Sequence, residues 1–264
     1  MTFATIITAR SSSKRLKNKI LLDISKNYKC VDILIERSKL VGLPIILATS
    51  IAKSDDKLVR YVKNNHKIII FRGSLNNKVK RWYNCFTKYN LTSACFIDGD
   101  DLLFDYHLYK KNFIKAKKIS RPYMLKNPKN IVTGAFTYII NFKFLEKIYK
   151  KSQKVKDVDV IEGFCKNINR IENIKLEKTL VDKKIRLTLD YTDDYIFFKK
   201  IFKIFNPYSS TREVIKYLEK HSELTKINFF LNKSWKLNQL KQNWENWEEM
   251  CIMFSLIQIV LMVM

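Results

Sequence analysis

The sequence predicts an α/β fold: a mostly parallel central sheet flanked by helices, with a small β region at the periphery. Two observations carry this. Short β-prone apolar runs alternate with stretches of helical apolar spacing from residue 3 to residue 98, the pattern of βαβ units with right-handed crossovers. The composition, 47% hydrophobic and 13% aromatic in 264 residues, is that of a globular chain able to bury a sizeable core. No internal repeat and no Gly/Ser-rich linker divides it.

The elements follow in order. Phe3–Thr8 reads as the first strand. Residues 31–41 have helical apolar spacing, stopped by Gly42 and Pro44. Pro44–Thr49 reads as a second strand, Ser54-Asp55-Asp56 as the start of a helix to about Lys63, and Lys67–Phe71 as a third strand. A helix over 77–89 leads to a fourth strand, Ser93–Ile97. Beyond it the pattern is less regular: an extended stretch between Pro122 and Pro128, a β-prone run Ile131–Ile140 broken at Gly134, and helices over Lys143–Ser152 and Val158–Asn167. Ile185–Leu189 reads as a strand, Asp193–Phe205 as a helix, and Ser210-Thr211-Arg212-Glu213 as a capping box opening a helix to Glu219. Residues 1–228 are expected to form the main domain. Residues 229–264 form a helical and apolar C-terminal tail, with a terminal helix over 233–250 that carries Trp235, Trp244 and Trp247.

The net charge is +25, which invites a nucleic-acid reading. Only ten of the 50 cations are Arg, however, and the Lys residues are scattered along the chain with many Ile and Asn. Nucleic-acid readers lean on Arg for bidentate contacts, so no specific nucleic-acid partner is expected. The five cysteines are widely spaced with no CxxC, and the three histidines lie far apart; both facts argue against a disulfide framework or a zinc site and suit a cytoplasmic protein. The first apolar run is too short for a signal peptide, and the apolar stretch 251–264 is too short to span a bilayer.

Three charged stretches carry chemistry. Ala9–Lys19, after the first strand, holds five cations and three hydroxyls in eleven residues. At the carboxyl end of an α/β strand such a loop suits a phosphate-bearing ligand, although its charge alone reads first as a solvated basic loop. Asp98-Gly99-Asp100-Asp101 ends the fourth strand, where three carboxylates repel unless cations offset them. Asp190 repeats the arrangement after Leu189. Cations for phosphates and carboxylates for Mg²⁺ together meet the requirement for nucleotidyl transfer from a nucleoside triphosphate.

These residues resemble the cytidylyltransferase family that activates sugar acids, including its acylneuraminate and 3-deoxy-manno-octulosonate branches, and are most similar to the branch named after spore coat polysaccharide biosynthesis protein F. That family has a strand followed by A-R-x-x-S-x-R-L-P-x-K-x-L, matched here by Ala9, Arg10, Ser13, Arg15, Leu16, Lys19 and Leu21, with Lys17 in place of proline. Ala48-Thr49-Ser50, Phe71-Arg72-Gly73-Ser74, Arg81-Trp82-Tyr83, Gly99-Asp100-Asp101-Leu102-Leu103, Lys126-Asn127-Pro128 and Arg186–Tyr191 follow in the family's order. Phe96 and Asp98 stand where the branch has Arg and Thr, and Leu102 and Thr192 where it has Pro.

The resemblance implies a nucleotide-diphospho-sugar transferase type of fold and the reaction of CTP with a sugar acid to give a CMP-sugar and pyrophosphate, for surface polysaccharide biosynthesis. It implies Arg10, Lys19 and Asp100 as catalytic residues, and Ala9, Arg10, Ser13, Arg15, Lys19, Arg72 and Gly99 as nucleotide-binding. It implies Asp100 and Asp190 as Mg²⁺ ligands, and a homodimer. Two readings compete: a glycosyltransferase using Asp98-Gly99-Asp100 as a metal-holding Asp-x-Asp, and a non-enzymatic binder of anions or nucleic acid.

Overall fold

The structure, a computed structural model, describes residues 2–13, 15–155, 157–165, 168, 171–181 and 183–238. Its centre is β1 (Phe3–Thr8), buried at every position. Alternate side chains serve two cores. Phe3 and Ile7 face one cluster with helices α1 (Cys30–Lys39), α4 (Tyr106–Ala116), α6 (Thr192–Ile204) and α7 (Thr211–Lys220). Ala4 and Ile6 face the other, with α3 (Lys78–Lys88) and α5 (Phe142–Ser152). A strand covered on both faces reads as a continuous apolar run, which is why β1 and β2 (Ile45–Ser50) were legible.

The sheet has seven strands in the order β3-β2-β1-β4-β6-β5-β7, where β3 is Ile69–Gly73, β4 Ser93–Asp98, β5 Met124–Lys126, β6 Tyr138–Asn141 and β7 Ile171–Asn173. The first four are parallel, and β6 then joins β4 antiparallel, with Phe96 opposite Tyr138. The β region expected at the periphery is therefore the edge of the same sheet. Strand order reverses at β1, which has β2 on one side and β4 on the other; the crevice at the carboxyl ends of two such strands is where open α/β sheets bind ligands.

Helix α2 (Asp56–Asn65) matches its expected span. The sequence reading passed over α4, whose start is set by Asp105 accepting from the backbone N–H groups of His107 and Leu108. Three expected elements differ. Only Tyr138–Asn141 of the 131–140 run is a strand; at Gly134 φ is +89° and an added Cβ would sit 2.2 Å from the Leu187 carbonyl oxygen, so another chain passes against it. That chain is 185–189, which is no sheet strand. Its amides are used over the end of the sheet, Leu187 N–H donating to Thr133 O and Leu189 N–H to Asp100 O, both at 2.8 Å. The expected helix from Val158 is replaced by a single 3₁₀ turn, Glu162–Cys165, because the Val158 backbone pairs with Asn76 and Lys78 instead; Asn167 lies outside the described residues.

Residues 231–238 are helical. The rest of the terminal helix expected over 233–250, and the apolar 251–264, lie outside the described residues. Among the described residues no helix is long and apolar enough to cross a membrane. Phe96, where the resembling branch has Arg, is fully buried between Trp82 and Phe86, with ring centroids 4.2 and 6.0 Å away. That departure belongs to the core.

Candidate active site

A cleft of about 1180 Å³ opens at the carboxyl ends of β1 and β4. The two strand ends are drawn together there: Gly99 N–H donates to Thr8 O at 2.9 Å, and a Cβ on Gly99 would lie 2.9 Å from both Thr8 O and Ala9 Cβ. Ala9, Arg10, Ser13, Arg15, Lys19, Gly99 and Asp100 all line the cleft. The loop between them is fixed at both ends. Asp55 is fully buried and accepts from Ser11 N–H at 2.6 Å, from Thr49 Oγ1 and from the Ser50 N–H and hydroxyl. At the other end Asn18 adopts φ +54°, which Asn tolerates better than most residues, and a 3₁₀ turn, Lys19–Leu21, follows. In the sequence Asp55 shows only the pattern of a helix start.

Each described loop cation except exposed Lys17 is held by a carboxylate from a distant part of the chain. Arg10 donates to Asp159 at 2.9 Å and to Leu75 O at 2.7 Å. Arg15 donates to Asp190 Oδ1 at 2.6 Å. Lys19 Nζ bridges Asp100 Oδ2 at 2.9 Å, Asp190 Oδ1 at 3.0 Å and Leu189 O at 2.9 Å. Lys14 lies outside the described residues. Burial works against the Lys19 ammonium, but Asp100 and Asp190 outweigh it and raise its pKa. For Asp100, burial alone would raise the pKa; Lys19 reverses the sign and holds it below the usual carboxylate range.

The neighbouring carboxylates behave oppositely. Burial, then repulsion from Asp100 and Asp98, pushes Asp101 well up; Thr137 Oγ1 donates to it at 3.1 Å. Burial also raises Asp98, and Lys78, 3.0 Å away, offsets this only in part. The three side chains can each offer an oxygen within 4.8 Å of the others.

Two expected site residues stand elsewhere. Arg72 does not line the cleft: its guanidinium donates to Ser50 O and Ala52 O at 2.9 and 3.0 Å and pairs with Asp56 at 2.7 Å, joining β3 to the β2–α2 turn. Asp190 is fully buried and is not a lining residue. Its Oδ1 takes Arg15 and Lys19 and its Oδ2 takes Arg186 at 3.3 Å, so as found both its oxygens are bonded to cations and neither is open to a metal.

The structure adds residues to which the sequence assigned no role in the site. Lys78, at the first turn of α3, and Asp159, in the loop after α5, line the cleft without any motif to mark them. Arg81 also lines it, almost fully buried with its Nε unpartnered; burial and nearby Arg10 bring it down to about 10. Arg186 is fully buried and pairs with Asp194 at 2.8 Å. In the sequence it opens the Arg186–Tyr191 motif, without a role of its own.

A cleft of this size at the switch point of a mostly parallel sheet, ringed by paired cations and carboxylates, suits a nucleotidyltransferase-type α/β protein. Comparison with known proteins agrees. The profile of the cytidylyltransferase family matches residues 4–233, and the chain belongs to that family. It is 32% identical over 230 residues to an uncharacterized protein of Methanocaldococcus jannaschii, covering 84% of this chain and 93% of that one. Among solved structures, it resembles a cytidylyltransferase from Leptospira borgpetersenii with a TM-score of 0.74 at 22% identity, covering 85% of this chain and 97% of that one. It also resembles a CMP:2-keto-3-deoxy-manno-octonic acid synthetase complexed with CTP, with a TM-score of 0.57 at 12% identity, covering 77% and 99%. At these identities the structural likeness concerns the fold.

Proposed function

We propose that the protein transfers CMP from CTP to a sugar acid, releasing pyrophosphate and forming a CMP-sugar for surface polysaccharide assembly. The observation that carries the reading is the set of ion pairs Arg10–Asp159, Arg15–Asp190 and Lys19–Asp100, which gathers three cations at one cleft. In this reading Arg10, Arg15 and Lys19 leave their carboxylates for the triphosphate, with Ser13 and the Ala9–Gly99 junction shaping the loop around it. A hydroxyl of the sugar acid attacks the α-phosphorus, the α–β bridging bond breaks, and pyrophosphate departs against the cations. Positioning and charge supply the catalysis. Lys126 and Lys129, also on the cleft wall, suit a carboxylate on the acceptor.

The donors fit Mg²⁺: hard carboxylate oxygens of Asp98, Asp100 and Asp101 converge within 4.8 Å of one another. Asp100 would hold it, with Asp98 and Asp101 beside it; Asp190 joins that set only after Arg15 and Lys19 have moved. When bound, Mg²⁺ would neutralise phosphate charge as it develops.

The test is pyrophosphate release from CTP with a panel of sugar acids and Mg²⁺. Wild-type protein is expected to release it, and Asp100→Asn to lose release at unchanged far-UV circular dichroism. Full activity in Asp100→Asn overturns the metal assignment. Selective thermal stabilisation by UDP- or CMP-sugars, with none by CTP, would favour the glycosyltransferase reading instead.

A further inference from the structure

The segment 228–238 makes contacts that a packing helix would not. Phe230 and Leu237 are 61% and 58% exposed, while Asn228 is fully buried. Asn228, fully buried, donates to Asp194 Oδ1 at 2.9 Å and to Arg186 O at 3.2 Å. Asn232 Oδ1 accepts from Arg186 Nη1 at 3.1 Å. The Trp235 ring lies 5.8 Å from the Arg186 guanidinium. Positions 228, 232 and 235 recur at helical spacing, so one face of the segment is aimed at one buried cation. Asn238 donates to the Tyr191 hydroxyl at 3.3 Å, and the Tyr191 ring lies 5.9 Å from Arg186 and 5.4 Å from Arg15.

Arg186 is where this face meets the active-site loop. It holds Asp194 with Nε and one terminal nitrogen, and that same nitrogen reaches Asp190 Oδ2. Asp190 in turn holds Arg15 and Lys19. A polar chain of contacts therefore runs from the segment to the loop cations, and Trp235 itself lines the cleft.

We propose that residues 228–238 form a strap that preorganises the loop cations, with Trp235 as a positioning residue acting through Arg186 and Asp190. The strap fixes the guanidinium, the guanidinium fixes Asp190, and Asp190 sets where Arg15 and Lys19 wait. Preorganised cations bind a polyphosphate more tightly because less ordering remains to be done on binding. The ligand in this inference rests on the CTP reading above; the ordering of the loop does not.

The experiment uses the full chain as wild type, Trp235→Ala and Trp235→Phe. Trp235 is only partly buried, so neither variant threatens the fold. Amide hydrogen exchange is read first, without ligand. In Trp235→Ala, exchange is expected to quicken about threefold or more at 186–194 and 15–22 while β4 stays protected, and Trp235→Phe, which keeps a ring over the guanidinium, restores it. Titration with CTP is expected to show about three- to tenfold weaker binding in Trp235→Ala, recovered in Trp235→Phe. Unchanged exchange at 15–22 overturns the proposal, even if CTP binds more weakly, since Trp235 would then touch only the ligand. Quickening that extends equally to β4 also overturns it. If wild-type protein binds no CTP, the functional reading fails and the exchange result alone decides the strap.

Discussion

Replacing Asp190 with Asn tests the node on which the candidate site is built. Asp190 is fully buried and accepts from Arg15 at 2.6 Å, Lys19 at 3.0 Å and Arg186 at 3.3 Å. At an effective dielectric of about 20, one such pair near 3 Å has a gross attraction of roughly 5 kcal/mol, most of it offset by desolvation. Removing one partner of a buried pair costs about 3–5 kcal/mol because the remaining charge is stranded. Three details of the structure favour the lower end. Arg15 is 34% exposed and can turn to water, Lys19 keeps Asp100, and Arg186 keeps Asp194. A loss of about 3 kcal/mol corresponds to a fall in Tm of roughly 6–12 °C for a chain of this size. Urea denaturation and calorimetry of Asp190→Asn read it directly. The double variant Asp190→Asn/Lys19→Met is expected to be less destabilised than the sum of the singles, by about 1–3 kcal/mol, since it removes both members of one pair. A loss below about 1 kcal/mol, or additive singles, would refute the argument that Asp190 neutralises the loop cations.

Three further outcomes are expected. Burial alone would raise the Asp55 pKa, but hydrogen bonds from Ser50, Ser11 and Thr49 hold it below the ordinary carboxylate range. Its contribution is therefore present above about pH 4 and lost as pH falls through the depressed value; Asp55→Asn should cost roughly 1.5–3 kcal/mol at pH 7, a gap that narrows at pH 3 by denaturant titration. Gly99→Ala must part β1 from β4 against contacts of 2.9 Å, and should cost about 1–3 kcal/mol and weaken CTP binding by calorimetry. Arg72→Ala removes contacts to Ser50, Ala52 and Asp56 outside the cleft, so its CTP affinity should stay within about twofold while stability falls by roughly 1 kcal/mol.

The sequence was informative where local pattern and tertiary role coincide. β1 to β4 and their helices are buried on the faces that periodicity assigns, and the ends of adjacent strands β1 and β4 converge, so Lys19 and Asp100 meet across 81 residues; Asp190 reaches Lys19 across 171 residues from the segment packed over the end of the sheet. It misled where backbone hydrogen bonds go to unexpected partners. Residues 185–189 have strand composition, but their amides serve Thr133 and Asp100. Val158 bonds to the β3–α3 turn and cannot begin a helix. Arg72 belongs to a motif of the resemblance, yet its fork finds the Ser50 and Ala52 carbonyls outside the cleft. Asp159 and Lys78 were invisible because a single charge in an aperiodic loop or at a helix start carries no pattern.

The antiparallel joint between β4 and β6 has a consequence for how such a protein changes over time. Reversal of direction sets the start of β6 beside the end of β4, so the loops that precede and follow the edge strands open onto the same rim as the basic loop. One wall of the cleft thus descends from the parallel half, where the register of β1 with β2 and β4 ties the basic loop and Asp100 to the core. The other comes from short edge strands and long connections, which tolerate insertion and exchange far better. New acceptors can be sampled on that second wall while the chemistry on the first stays undisturbed.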